Sequence, residues 1–147
     1  MFKVHKKIIY AIEAVVDIAL NSGPNPVQNE SIARRQGIPK RYLEQTLQIL
    51  VKNKILVGSR GPKGGYSLAK ERRRIKISEI IKSVSNEDNL NSTFNSELSK
   101  KIVLPLINDI SINCLEKFNN ISIEEVCRIA KEKNLKQDNS KKVDFVI

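Results

Sequence analysis

Apolar residues recur at three- and four-residue spacing at Ile8, Ala11, Ile12, Val15, Val16 and Ala19, which predicts an amphipathic helix over residues 5–21. The run Asn21-Ser22-Gly23-Pro24-Asn25-Pro26 stops it. A shorter helix is predicted over 28–36, ending at Gly37, a residue suited to a left-handed C-terminal turn. A third follows over 39–52, with Pro39 as its first helical residue and Leu43, Thr46, Leu47 and Leu50 as its core face. The period then changes. Residues 55–60 and 66–69 read as two short strands joined by the glycine-rich stretch 61–65. Ile75 and Ile77 alternate, and Ser78 is placed to cap a helix carrying Ile80, Ile81 and Val84.

Residues 86–99 are polar, rich in Asn and Ser, and read as a linker loop. A new helical rhythm starts near Leu98 and runs through Ile102, Leu106, Ile110, Cys114 and Phe118, with Pro105 either kinking that helix or marking its true start. Ser122 caps a last helix reaching to about 133, and 134–147 read as a flexible tail. The fold expected is mainly α with a small β-hairpin: a winged helix-turn-helix over 1–85, a loop over 86–100, dimerisation helices over 101–133, and the tail.

Charge turns this pattern into a functional expectation. The net charge is +10, and it is lopsided: residues 1–82 carry 17 Lys/Arg against 6 Asp/Glu, residues 83–147 carry 9 against 10. A basic module that meets a polyanion, joined to a neutral one, accounts for such asymmetry. Competing classes fare worse. A single His and no triad or carboxylate cluster argue against an enzyme, and no His/Cys spacing suggests zinc. Glu13 and Asp17 interrupt the apolar stretch 8–20, and no run approaches the roughly 18 apolar residues of a membrane span. With only Cys114 and Cys127 there is no disulfide framework, and the chain reads as cytoplasmic.

The segment 30–50 has helix-turn-helix spacing: small Ala33 where two helices must cross closely, Gly37 at the turn, and Leu43 plugging the core from the second helix. That second helix presents Lys40, Arg41, Tyr42, Glu44, Gln45 and Gln48. Arg and Lys suit guanine, Gln suits adenine, and Glu accepts from the cytosine amino group. The hairpin Ser59-Arg60-Gly61-Pro62-Lys63-Gly64-Gly65-Tyr66 puts two cations on a tight loop, as a wing that enters the minor groove does. It lacks the Lys-Ser/Thr and helix start of a phosphate-binding P-loop. Arg72, Arg73 and Arg74 follow as a phosphate clamp or as a solvated charge run.

These residues resemble the Rrf family of bacterial regulators. Tyr42-Leu43-Glu44-Gln45 and the wing from Ser59 to Leu68 carry the likeness. Tyr10-Ala11, Ile32-Ala33 with Gly37-Ile38, and Ile121-Ser122-Ile123-Glu124-Glu125 extend it to about residues 1–130. The resemblance implies double-stranded DNA as partner, with a roughly palindromic operator. Glu44 and its neighbours would read the major groove, and Arg60 would enter the minor groove. It also implies a homodimer built on the long helix, through Ile102, Leu106, Ile110, Cys114 and Phe118. Several relatives hold an iron–sulfur cluster on three cysteines in the loop after the wing. Here 86–99 contain none, so no cofactor is expected. What remains is the cluster-free branch, repressors of cysteine metabolism controlled through cysteine synthase. Asp144-Phe145-Val146-Ile147 is similar to the tail that serine acetyltransferases insert into that enzyme, and the alternative is that it folds back on the dimer. An iron or iron–sulfur homeostasis regulator is the other reading within the family, and a protein-only adaptor the one outside it.

Overall fold

A computed structural model describes residues 4–85, 93–133 and 135. The first part of the polar loop and the tail tetrapeptide Asp144–Ile147 therefore lie outside the described residues. The elements are α1 (Lys6–Leu20), α2 (Asn29–Gln36), α3 (Lys40–Lys52), β1 (Leu56–Ser59), β2 (Gly65–Leu68), a 3-10 turn (Arg72–Arg74), α4 (Ile77–Ser85), a π-turn (Ser99–Val103), α5 (Leu104–Asn119) and α6 (Ile123–Glu132).

α1 is the central post. Its buried stripe of Ala11, Ala14, Val15, Ile18 and Ala19 packs against α2, α3, α4 and α6. α3 supplies Leu43, Leu47 and Leu50, all fully buried, and α4 supplies Ile77, Ile80 and Val84. Together with Ile32 of α2 and Ile75 these make one core. Gly37 ends α2 at φ +64°, so the turn into α3 is the left-handed one its sequence foretold. Pro39 proves to be the cap before α3, at ψ 126°, not its first helical residue. α3 closes with a paired motif: the Lys54 amide donates to Val51 and the Ile55 amide to Leu50, with Lys54 itself at φ +60°.

The hairpin is antiparallel, with Leu56 opposite Leu68 and Ser59 opposite Gly65. A third segment clips it down. Val27 and Tyr66 exchange both backbone hydrogen bonds, at 2.9 and 2.8 Å, which brings the α1–α2 connection against β2. A Cβ on Gly65 would stand 2.4 Å from the Val27 carbonyl oxygen, so only glycine permits this approach.

One further expectation needed revision, and two others gained a physical explanation. Ser78 does not cap α4: it lies one residue inside, and its hydroxyl hydrogen-bonds the Asn119 Oδ1 at the end of α5. Ile75 and Ile77 do alternate, but their partner is remote. The Ile77 amide donates to Ile121 and the Ile123 amide to Ile75, so α6 is anchored on the N-terminal core, where Ile123 and Cys127 are buried. Pro105 stands in the first turn of α5, directly after the π-turn. Proline lacks an amide and crowds the carbonyl four residues back, and a widened turn relieves both problems.

Candidate nucleic-acid interface

α3 divides cleanly by burial. Leu43, Thr46, Leu47 and Leu50 face the core, while Lys40, Arg41, Glu44, Gln45, Gln48 and Lys52 are exposed. The Thr46 hydroxyl is satisfied by the Tyr42 carbonyl at 3.0 Å, so a polar residue on the core face leaves no orphan. Tyr42 is only 38% exposed, because its ring meets Tyr10 of α1 edge-on at 5.3 Å. Its aromatic body therefore braces the helix–helix contact.

The structure brings the helix and the wing together across one open groove of about 830 Å³. Lys40, Glu44 and Gln48 form one wall, and Ser59, Arg60, Gly61, Gly64 and Gly65 form the other. Gln28, Asn29, Glu30 and Lys52, which the sequence reading did not single out, also line it. Arg41, Tyr42 and Gln45 lie outside this groove, and Pro62 and Lys63 line a different cleft, against α2. The wing is shaped by glycine: Gly61 has φ +103°, its carbonyl accepts from the Gly64 amide at 2.8 Å, and a Cβ on Gly64 would meet the Ser59 carbonyl oxygen at 2.5 Å.

The arginine triplet is less uniform than its sequence suggests. Arg72 is half-buried and pairs with Glu124 of α6 at 2.6 Å, and Arg73 pairs with Glu71. Both line a cleft on the other side of β2, with Ser67 and Leu68. Arg74 is exposed, and none of the three lines the α3–wing groove.

One residue that the sequence reading treated as a mere interruption turns out to organise the site. Asp17 has no side-chain exposure. Arg35 donates to both its oxygens, at 2.9 and 2.8 Å, and Gln36 Nε2 donates at 2.8 Å. α2 buries a single residue, Ile32, so hydrophobic packing alone holds it weakly. The carboxylate ties its last two residues to α1 immediately before the Gly37 turn, and so sets where α3 begins.

The cysteines are far apart in role. Cys127 is buried in the core, where burial pushes its thiol above the ordinary value against the opposing pull of Arg72. Cys114 is exposed on α5. Among the described residues no three His, Cys, Asp or Glu converge as metal ligands. With two thiols on separate elements, the donor set does not fit a cysteine-ligated cluster. α5 buries no residue, and Ile102, Leu106 and Ile110 are 60%, 58% and 49% exposed. Its Cys114, Leu115 and Phe118 share an apolar groove with Ile8 and Ile12 of α1 and Ile81 of α4.

Residues 4–129 match the Rrf2 family, described as iron-dependent transcriptional regulators. The chain belongs to this family. It is 33% identical to the HTH-type transcriptional regulator IscR of Sodalis glossinidius over 121 residues, which span 80% of this chain and 73% of that one. Identity with the IscR of Cronobacter sakazakii reaches 45% over 75 residues, a stretch covering about half of each protein, 51% and 46%. The solved structure of T. potens IscR superposes with a TM-score of 0.73 at 31% identity, covering 92% of this chain and 93% of that one. The structure of CymR, the global cysteine regulator of B. subtilis, superposes at 0.66 and 24% identity over 88% and 98%, a likeness of fold. Rrf2 proteins are transcriptional regulators, not enzymes; they bind DNA and commonly act as dimers. Among the described residues no helix is long and apolar enough to cross a membrane.

Proposed function

We propose that this chain is a sequence-specific, dimeric DNA-binding repressor whose α3 reads the major groove while its wing enters the adjacent minor groove. The observation that carries this is the shared α3–wing groove, in which Lys40, Glu44 and Gln48 face Arg60. Gln45 and Arg41, exposed on the same helix, extend the reading surface. Arg60 suits the negative potential of a narrow minor groove. Glu44 is tolerable beside phosphates only where a base donor meets it, such as a cytosine amino group. The exposed apolar face of the π-turn and α5, with Ile102, Leu106 and Ile110, supports a two-fold dimer that presents two such grooves to a palindromic site. Residues 1–85 form the gripping unit, with α6 packed on α1.

Within the family we place the chain in the cluster-free, cysteine-metabolism branch, acting without a cofactor and under a protein partner or small metabolite. Two sequence features support this: the loop 86–99 has no cysteine, and Asp144–Ile147 resembles a cysteine synthase-binding tail. The iron-dependent description of the family and the IscR relatives favour the alternative, an iron or iron–sulfur homeostasis regulator.

Binding to an operator selected from random duplexes tests the core of the proposal. Affinity should fall steeply with salt, Arg60→Ala should weaken binding, and Glu44→Ala should chiefly relax base preference. No salt-sensitive duplex binding would refute it. Mapping bound genomic sites separates the branches: sulfur-assimilation genes support the first and iron–sulfur assembly genes the second. Removing Ile147 should abolish capture of cysteine synthase, and unchanged capture ends the tail hypothesis.

A further inference from the structure

Arg72 and Arg73 do not line the α3–wing groove; they line a cleft of about 510 Å³ behind β2. Small-molecule sites commonly enclose about 300–1,000 Å³. The apolar wall of this cleft is Ile18, Val27 and Leu68, and its charged wall holds Lys70, Glu71, Arg72, Arg73 and Glu124. Lys70 is matched from outside the cleft, by Glu79 at 2.8 Å. That leaves two cations and two carboxylates, arranged as the pairs Arg72–Glu124 and Arg73–Glu71. The Arg72 and Glu124 side chains keep 33% and 50% of their surface in water. Ion pairs this exposed contribute little, so opening one costs little.

We infer that this cleft binds a small zwitterion, a free α-amino acid, which inserts between Arg72 and Glu124 with its carboxylate on the guanidinium and its ammonium on the glutamate. The charge pattern selects this class. A simple anion is held by the arginines but repelled by Glu71 and Glu124, and a simple cation meets the reverse. A zwitterion opens one ion pair and satisfies both halves with charge-assisted hydrogen bonds, leaving the net charge of the cleft unchanged. Ile18, Val27 and Leu68 then receive its aliphatic part. Occupancy reaches the DNA-reading face through two features. Tyr66 lines both this cleft and the α3–wing groove, and its backbone is paired with Val27, another wall of the cleft. The Arg72–Glu124 pair ties the segment after β2 to α6, so a ligand that parts the two changes how the base of the wing is braced. The inference rests on the proposed reading of the chain as a regulator under a small metabolite, and gives that reading a ligand class and a site.

The test titrates the full chain, without DNA, with each standard L-amino acid in turn by calorimetry. At least one should bind with a dissociation constant in the millimolar range or below. Its amide, which lacks the carboxylate, and its N-acetyl form, which lacks the ammonium, should each bind about tenfold more weakly or worse. Arg72→Gln and Glu124→Gln should cost as much, whereas Arg74→Gln, outside the cleft, should change nothing. Glu124 is half in water, so its variant carries the test if Arg72→Gln does not fold. Binding by none of the amino acids overturns the inference. So does equal binding of the capped forms, or binding that survives Glu124→Gln unchanged. Acetate or inorganic phosphate competing with the affinity of the amino acid marks a plain anion site and overturns it too. Operator affinity, measured with and without saturating ligand, should shift by about fivefold or more in the parent and stay constant in Glu124→Gln. An unshifted parent overturns the regulatory role of the cleft. A chain that binds the amino acid but no duplex refutes the DNA reading and upholds the site, and a chain that binds duplex but no amino acid does the reverse.

Discussion

Replacing Asp17 by Ala should be among the costliest single changes in the chain. The carboxylate is fully enclosed and accepts two bonds from Arg35 and one from Gln36. Each hydrogen bond to a charged group is worth about 1.5–3 kcal/mol net, but three on one residue do not add independently. Removing one partner of a buried pair costs about 3–5 kcal/mol, mainly because the other charge remains buried without it. Arg35 keeps 14% of its side-chain surface in water, so solvent recovers part of that penalty and the lower end, about 3 kcal/mol, is expected. For a chain of this size that is a fall in Tm of about 6–12 °C. Urea unfolding at a fixed protomer concentration, with the m-value checked, measures it. A second variant isolates the cause. Asp17→Leu combined with Arg35→Met replaces the pair by apolar groups, which should recover most of the loss. A cost under about 1 kcal/mol for Asp17→Ala would show that the network does not hold α2, and the reasoning would fail.

Other expectations follow from single features. Lys54→Gly should raise stability by about 1 kcal/mol, because a non-glycine residue at φ +60° is strained, and Gly37→Ala at φ +64° should lower it by a similar amount; urea midpoints report both. Burial raises the Glu13 carboxyl above its ordinary value, so the folded protein holds that proton to higher pH than the unfolded chain does. Its penalty appears as pH rises from the unfolded value through the raised folded one, and persists above it. Glu13→Gln should therefore raise Tm at pH 7 and leave it unchanged below the unfolded carboxyl range. Leu106→Glu, on a side chain 58% exposed in the protomer, should leave secondary structure intact yet shift sedimentation from dimer to monomer and weaken operator binding by about tenfold or more; an unshifted dimer would move the interface off α5.

What could be read in advance was local. The three-to-four rhythm of α3 foretold which of its residues are buried, because a helix has a fixed angular period and its core face is contiguous. Gly37 and the wing glycines were legible because left-handed turns and close backbone approaches admit few other residues. The hidden features all depend on partners distant in sequence. Asp17 finds Arg35 eighteen residues on, Ser78 finds Asn119 forty-one residues on, and Ile75–Ile77 pair with Ile121–Ile123. A periodicity argument carries no information about such pairs. The same limit applies to Arg72, whose partner Glu124 sits on α6, so a charge run that reads as a clamp is partly an internal brace.

That distinction sharpens the meaning of the positive charge. Among the residues of the basic half, Arg35 pairs with Asp17, Lys70 with Glu79 and Arg73 with Glu71, while Arg72 reaches Glu124. These pairs neutralise half of the six carboxylates that the half contains. Of the remaining three, Glu13 is half-buried on α1, and Glu30 and Glu44 line the α3–wing groove beside Lys40, Lys52 and Arg60. A basic surface built only for affinity gains nothing from a carboxylate at its centre, since in a polyanion's field Glu44 opposes binding at every sequence. Its position makes sense if the opposition is removed at some sequences by a base donor and kept at all others. On that reading Lys40, Lys52 and Arg60 supply most of the affinity, and Glu44 adds discrimination by penalising the wrong site.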